Sequence, residues 1–252
     1  SFNYNDLKKL EYLIKKKGVK IVKMEVIRNI EMKKNFLLNV RKLCNKYGCI
    51  LIFDECTTGF RETIGGLHKL YKVKPDMAIF GKALGNGFPI TAVLGKKKIM
   101  QHANNTFISS TFWTERVGPS AGLKTIEIME KKKTNIEIVK LSNLLKKSWL
   151  QIAKKNNLKI NIYGANGNLK FKFETKKDNN IYKTLITEKM LEKGFLATMN
   201  FYVSIAHTHK IINRYIKALE KVFKIISKIE NKDNYKKYLK SPLATKDFKR
   251  YN

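Results

Sequence analysis

Apolar residues recur at helical spacing in two segments near the start of the chain. They cover residues 6–17, which Gly18 follows, and residues 33–46, which Gly48 follows. A stripe of apolar residues three and four positions apart is typical of an amphipathic helix, and glycine is the residue preferred just past a helix end. The pattern therefore predicts two helices, each ending at or just before its glycine.

Short, mostly apolar segments alternate with these helical segments. They cover residues 20–27, 49–53, 77–80 and 91–94, and the second segment ends directly at Asp54. The segment over 49–53 has no polar position, which is typical of a strand buried on both faces, as in a parallel sheet. The alternation of strands and helices predicts an α/β fold with a layered, mostly parallel sheet.

The pattern changes after Gly118-Pro119. A long helical pattern with a break runs from 120 to 156, and an Asn-Gly turn at 166–167 separates two strand patterns, which indicates a hairpin. The later elements predicted here are helices over 180–193 and 208–229 and a strand over 201–205. We therefore expect part of a large domain over residues 1–130, a small α+β domain over 131–230, and a surface tail over 231–252.

The net charge of +32, from 52 Lys and Arg against 20 Asp and Glu, raises the question of an anionic partner. Only six of the 52 are Arg, the residue whose planar fork suits phosphate recognition. Lysines are spread in short runs and Lys, Asn and Ile dominate throughout, as drift in composition would produce. We favour compositional drift over nucleic-acid binding.

The cysteine and histidine content argues against a disulfide framework and a metal site. Cys44, Cys49 and Cys56 form no CxxC pair, and only His207 and His209 lie close in sequence. No apolar run approaches the ~18 residues that a membrane span needs. With thiols expected to be reduced, these features predict a cytoplasmic protein without metal or membrane contact.

Candidate chemistry gathers where predicted strands end. Asp54 follows one strand, and Lys82 follows another within Gly81-Lys82-Ala83-Leu84-Gly85-Asn86-Gly87. Ligands bind at the carboxyl ends of strands in open α/β sheets, although a carboxylate there can equally cap a loop. Glycines let a backbone approach a ligand closely. We expect Lys82 to be partly desolvated, which would lower its pKa and make its amine a nucleophile for carbonyls.

A third feature is the hydroxyl-rich segment 109–113, which includes Thr111 and leads toward the predicted helix after Gly118. Hydroxyl side chains before a helix are usually N-caps, but they also bind phosphate at a helix N-terminus. Both interpretations stay open on the residues alone.

The motifs 51–61, with Asp54-Glu55-Cys56-Thr57-Thr58-Gly59, and 81–90, with Lys82, occur in the order and at the separation seen in one family. Together with Glu25-Val26 and Ser110-Thr111-Phe112, they make the chain resemble the class III pyridoxal-phosphate-dependent aminotransferases. The glutamate-1-semialdehyde aminomutase-like branch is the most similar, and the resemblance covers residues 1 to 230.

This resemblance implies a fold-type-I enzyme that uses pyridoxal 5'-phosphate. It implies that Lys82 forms the internal aldimine and later moves protons, and that Asp54 pairs with the pyridine nitrogen. Cys56 would pack on the ring, Thr111 would reach the phosphate from the partner subunit of a homodimer, and Glu25 would lie on the substrate side. The reaction implied is amino transfer from a small-molecule donor to a keto or aldehyde acceptor, or within one molecule.

Family members extend further at the N-terminus, and this chain begins at Ser1, so we interpret it as the C-terminal part of such an enzyme. Two other hypotheses stay open at this point: a basic nucleic-acid-binding module, and an inactive truncated remnant of an aminotransferase.

Overall fold

The computed structural model of the protein describes residues 1–27, 30–111, 114–231 and 234–245. Its chain divides into two compact units, residues 1–137 and 138–252. The division falls after residue 137, within the helix Thr134–Lys155, and lies seven residues beyond the boundary that the sequence pattern predicts at residue 130.

Helices of the first unit end where the sequence requires a turn. Helix α1 covers Leu7–Lys17, and Gly18 follows it in the left-handed conformation with φ +63°. Helix α2 covers Phe36–Lys46 and begins later than residue 33. The buried faces of both helices carry the apolar residues that define their spacing, such as Leu10 in α1 and Val40 in α2.

Four strands form the sheet of the first unit in the order β1-β2-β3-β4. Their bounds are β1 Ile21–Glu25, β2 Ile50–Asp54, β3 Met77–Phe80 and β4 Ala92–Gly95. The first three are parallel, and β4 is antiparallel to β3 with Phe80 opposite Ala92. The sheet is therefore mostly parallel, as expected, and the carboxyl ends of β1, β2 and β3 meet at one edge.

Alternate residues of this sheet face a buried layer. Val22, Leu51, Phe53, Ala78 and Phe80 are all nearly inaccessible to solvent, whereas the residues between them are half-buried or exposed. At β2 this alternation differs from the burial on both faces that the continuous apolar run over 49–53 predicted. Among the described residues, one face of each strand is left partly accessible.

Two α-helices follow the sheet within the first unit. A short helix, α3, covers Lys97–Met100, and α4 covers Val117–Lys132. Lys133, in the left-handed conformation with φ +52°, separates α4 from the next helix, α5, over Thr134–Lys155. The predicted break in the long helical pattern is therefore confirmed.

The second unit packs a small antiparallel sheet against long helices. Its remaining elements are β5 Ile160–Tyr163, β6 Leu169–Phe173, α6 Asn179–Leu191, β7 Asn200–Phe201 and α7 His209–Glu230. Strands β5 and β6 pair around the Asn-Gly turn, which confirms the hairpin. The core includes Trp149 and Phe171, whose ring centroids lie 4.8 Å apart.

Two expectations for this unit are wrong in detail. The strand expected over 201–205 is limited to Asn200–Phe201, because the Ser204 carbonyl accepts a hydrogen bond from the His207 N–H in a following turn. The tail over 231–252, for which the residue pattern predicts no regular element, contains a 3-10 turn over Tyr235–Tyr238.

Candidate active site

The carboxyl-end edge of the first sheet brings three of the predicted site residues to one region. Glu25 and Asp54 are direct register partners at the ends of β1 and β2. Asp54 also pairs with Ile79 of β3, and the chain reaches Lys82 two residues after β3 ends. The edge therefore gathers two carboxylates and an amine from segments that are well separated in sequence.

The Asp54 carboxylate is held at both oxygens. Lys23 Nζ lies 3.1 Å from Oδ2, and the Cys56 backbone N–H donates to Oδ1 at 3.2 Å. Burial by itself would raise the pKa of Asp54, but the Lys23 ammonium and the Cys56 N–H outweigh it and hold the pKa below its usual range. Asp54 is therefore an oriented anion, and it also makes the loop-capping contact that the sequence left open.

Lys82 begins a 3-10 turn in the left-handed region, with φ +40°. Its side-chain Nζ donates to Thr57 Oγ1 at 2.9 Å, so Thr57 links the Lys82 turn to the loop after β2. The expectation that Lys82 is partly desolvated is wrong: its side chain is exposed, because it lies at the open side of a cleft.

Cys56 is half-buried, and the charges of both Asp54 and Lys82 act on its thiol. Burial, the Asp54 carboxylate and its hydrogen bond raise the pKa of the Cys56 thiol, and the charges of Lys82 and Lys23 oppose the rise. A Cβ on Gly81 would lie 3.5 Å from Cys56 Sγ, so the loop after β2 and the turn after β3 are in close contact there. Cys56 is neutral and presents a small apolar surface beside Lys82.

A cleft of about 790 Å³ opens beside Lys82. Its lining comprises Arg61, Lys82, Ala83 and residues 86–91. Gly85 permits the turn that shapes this wall, because a Cβ there would lie 2.1 Å from the Phe88 carbonyl oxygen. The volume falls within the roughly 300–1,000 Å³ of small-molecule sites. Asp54 and Cys56 lie at the edge of this region and not in its lining.

Sequence reasoning missed a buried network under the site. The Glu55 carboxylate, which is fully buried, accepts hydrogen bonds from the Thr58 hydroxyl and from His68 N at 2.9 Å, and lies 2.8 Å from His68 Nδ1. Burial would raise the pKa of Glu55, but the His68 and Thr58 bonds lower it below its usual range. The acidic residue next to Asp54 was the one feature of the sequence that could have indicated this network. Its partner His68 lies in a separate loop, and nothing in the sequence pattern links the two.

Thr111 is not joined to this cluster. Its side chain is exposed, and none of the contacts of the described residues links it to Lys82 or Asp54. Phe112 and Trp113, which the sequence also singled out, lie outside the described residues. The hydroxyls of 109–111 do not cap α4; the Glu115 carboxylate accepts from the Val117 and Gly118 N–H groups instead.

Other features of the described chain bear on metal and membrane chemistry. No cluster of three or more His, Cys, Asp or Glu side chains suited to a metal ion occurs among the described residues. His207 Nδ1 accepts a hydrogen bond from the Ser204 N–H at 3.1 Å. None of the helices in the described ranges is long and apolar enough to cross a membrane.

Residues 29–229 match the family model described as aminotransferase class-III. The chain is 35% identical to 3-aminobutyryl-CoA aminotransferase of Cloacimonas acidaminovorans, over 74% of this chain and 47% of that protein. It is 31% identical to glutamate-1-semialdehyde 2,1-aminomutase of Clostridium botulinum, over 86% of this chain and 57% of that protein. The chain thus spans about half the length of the curated relatives it matches.

Solved structures show the same fold. The FumI protein of Sphingopyxis sp. MTA144, in its PLP internal aldimine form, superposes with a TM-score of 0.83 at 21% identity, over 92% of this chain and 58% of that chain. Ornithine aminotransferase of Plasmodium yoelii gives 0.77 at 24% identity, over 88% and 62%. These similarities confirm the expected fold class, fold type I. The chain covers only part of each of these structures.

Proposed function

The chain belongs to the class III aminotransferase family, and from this premise we propose that it takes part in pyridoxal-phosphate-dependent amino transfer. The substrates would be a small-molecule amino donor and a keto or aldehyde acceptor, or one molecule that supplies both groups. The proposal rests on one observation. Lys82 and the ionised Asp54 lie at the same edge of the sheet, and Thr57 accepts a hydrogen bond from the Lys82 amine.

The residues present fit the cofactor in charge and in access. Lys82 offers an exposed primary amine at a cleft of small-molecule size, as attachment to an aldehyde requires. Asp54 offers an ionised carboxylate, as a protonated pyridine nitrogen requires. Cys56 offers a neutral thiol on which the charges of both act. The amine, the carboxylate and the small apolar contact suit three different parts of the cofactor, which are its aldehyde, its pyridine nitrogen and the face of its ring.

When bound, pyridoxal phosphate supplies an aldehyde and an electron-poor ring that stabilises negative charge on a substrate carbon. Lys82 Nζ would bind the aldehyde carbon, and Asp54 would hold a proton on the ring nitrogen. Released from the cofactor, the Lys82 amine would act as the base that moves a proton between carbons. Its hydrogen bond to Thr57 orients Nζ toward the loop that follows Asp54.

Three further assignments belong to the same proposal. Thr111 would reach the cofactor phosphate across a homodimer interface, Glu25 would lie on the substrate side, and the protein would act in the cytoplasm. The register pairing of Glu25 with Asp54 supports the second assignment. The exposure of Thr111 is compatible with a contact to another subunit.

Absorption spectroscopy with matched variants tests the proposal. After unbound pyridoxal phosphate is removed by gel filtration, we expect wild type and Lys98→Arg to retain a visible band, whereas Lys82→Arg keeps the charge but retains no such band. Lys98 is an exposed lysine of α3 outside the cleft, which makes it the control. An equal band in Lys82→Arg would contradict the assignment of Lys82.

Asp54→Asn separates ring binding from covalent attachment. The amide cannot hold a protonated ring nitrogen as a carboxylate does, so we expect weaker cofactor binding and a shifted band with Lys82 still attached. A cofactor titration indistinguishable from wild type would remove Asp54 from the site.

A further inference from the structure

A second cleft lies in the other unit, beside the end of α6 and the exposed face of α7. Its volume is about 270 Å³. The residues that line it are Lys193, Phe195, Arg214, Lys217, Ala218 and Lys221. Four of these six side chains are cations, and the other two are apolar.

The four cations converge because of helical spacing. Arg214, Lys217 and Lys221 stand three and four residues apart on α7, so they share one face of the helix. Lys193 approaches from the turn after α6. The Phe195 ring packs edge-on against Tyr215, with centroids 6.0 Å apart, which gives this cleft a fixed apolar wall.

Acidic residues next to these cations are paired with other lysines. Glu192 lies 3.0 Å from Lys189 and 3.0 Å from Lys240, and Glu220 lies 2.6 Å from Lys155. In the part of the chain that the structure describes, no ion pair joins any of the four cleft cations to a carboxylate. The cleft therefore gathers four cations whose sequence neighbours Glu192 and Glu220 are engaged by lysines outside it.

We propose that this cleft binds a compact, multiply charged phosphate anion, such as a di- or triphosphate group. The Arg214 guanidinium suits two-point contact with phosphate oxygens, and the lysines add point charges around it. The volume lies just below the roughly 300 Å³ at which drug-sized sites begin, so it suits a small anion. This site is separate from the proposed amino-transfer site and does not depend on it.

The alternative occupant is an extended polyanion. Lys210 and Lys228 continue the same face of α7 beyond both ends of the cleft, and both are exposed. A nucleic acid backbone lying along α7 would use these outer lysines, whereas a compact anion would use the four at the centre. The concave shape and short length of the cleft favour the compact anion.

Calorimetric titration of the full chain with inorganic tripolyphosphate at about 0.15 M ionic strength tests the proposal, because at that salt distant charges are largely screened. We expect the pair Arg214→Ala/Lys217→Ala to weaken binding roughly fivefold to tenfold. The pair Lys147→Ala/Lys154→Ala removes the same charge from the exposed surface of α5 and should bind as wild type does.

Three results would overturn the proposal. Wild type that binds no tripolyphosphate would remove the site. An equal loss in both pairs of variants would show attraction by net charge alone. An equal loss in Lys210→Ala/Lys228→Ala would indicate a track along α7 for a polymer. Circular dichroism of each variant establishes that its fold is intact before binding is compared.

Discussion

Individual carboxylates in the first unit are held by contacts from several elements. Asp76, just before β3, is the clearest case: it accepts from Arg41 of α2 at 2.7 Å, from the Leu51 N–H of β2 at 2.8 Å, and from Lys96 after β4 at 2.6 Å. Its side chain is nearly inaccessible to solvent. One carboxylate thus joins three strands and a helix at the end of the sheet opposite Asp54.

Replacing Asp76 by Asn should destabilise the fold in a pH-dependent way. Burial would raise the pKa of Asp76, but the Leu51 N–H, Lys96 and Arg41 lower it to about 2. The stabilisation is therefore fully present above the unfolded-state pKa near 4 and is lost as pH falls through about 2. We expect Asp76→Asn to cost about 2 kcal/mol at pH 7, by urea unfolding, and the difference from wild type to shrink below pH 4.

Asp6→Asn is the matched control for this experiment. Asp6 caps α1 by accepting from Lys9 N, and Asn is an equally good N-cap, so this change should alter the free energy of unfolding little. A loss at Asp76→Asn that stays constant from pH 7 to pH 2 would contradict the ion-pair account.

Glu55→Gln should also destabilise the first unit. The amide nitrogen would have to face one of the groups that now donate to Glu55, the Thr58 hydroxyl or the His68 N–H, in a fully buried position. A buried group left without its partner costs about 1–3 kcal/mol. Chemical denaturation measures the loss, and Glu130→Gln, at an exposed position of α4, should show none.

Unchanged stability in Glu55→Gln would mean that the loop over residues 66–68 is held by other contacts. Gly66 makes the present arrangement specific, because a Cβ there would lie 2.4 Å from the His68 ring.

At the scale of elements, the spacing of residues in the sequence predicted correctly those helix ends and turns that depend on local backbone conformation. Gly18 ends α1 and Asn166-Gly167 turns β5 into β6, because glycine adopts these backbone conformations readily. Spacing did not give the antiparallel direction of β4, since apolar runs look alike in either direction. Nor did it give the Lys23–Asp54 pair or the Glu55–His68 contact, which depend on how separate segments come together.

Family motifs predicted more of the site than residue patterns did. They located Asp54 and Lys82, which lie at one sheet edge as two parallel strands require. They did not indicate Thr57, because its contact with Lys82 depends on the conformation of two loops. The motifs also did not predict that the Lys82 side chain is exposed, because the burial of a residue depends on which other segments of the chain cover it.

The second unit depends on an aromatic cluster between β6 and its helices. Phe171 lies 4.8 Å from Trp149 of α5 and 5.9 Å from Phe223 of α7, centroid to centroid. Phe171→Ala should cost about 3–5 kcal/mol by thermal or urea unfolding, because it leaves a cavity joining three elements. Leu196→Ala, at a side chain that is 97% exposed, is the control and should be nearly neutral.

A loss below about 1 kcal/mol at Phe171 would show that the cluster closes around the missing ring, and the helices would then be held mainly by other contacts.

At the scale of the whole molecule, charge and chemistry are distributed differently. The net charge of +32 is spread over both units, whereas the candidate amino-transfer residues lie in the first unit alone. The family assignment and the fold class expected from the sequence are confirmed. The roles of Lys82, Asp54, Cys56, Thr111 and Glu25 stay predictions, because they concern a cofactor and a reaction.

The most direct test of the central claim is to locate the lysine that binds the cofactor. Wild-type protein with pyridoxal phosphate would be reduced with borohydride, digested and mapped by mass spectrometry. The account predicts that the added mass falls on the peptide containing Lys82 and disappears in Lys82→Arg. Modification spread over many of the exposed lysines, or concentrated at another lysine, would contradict it.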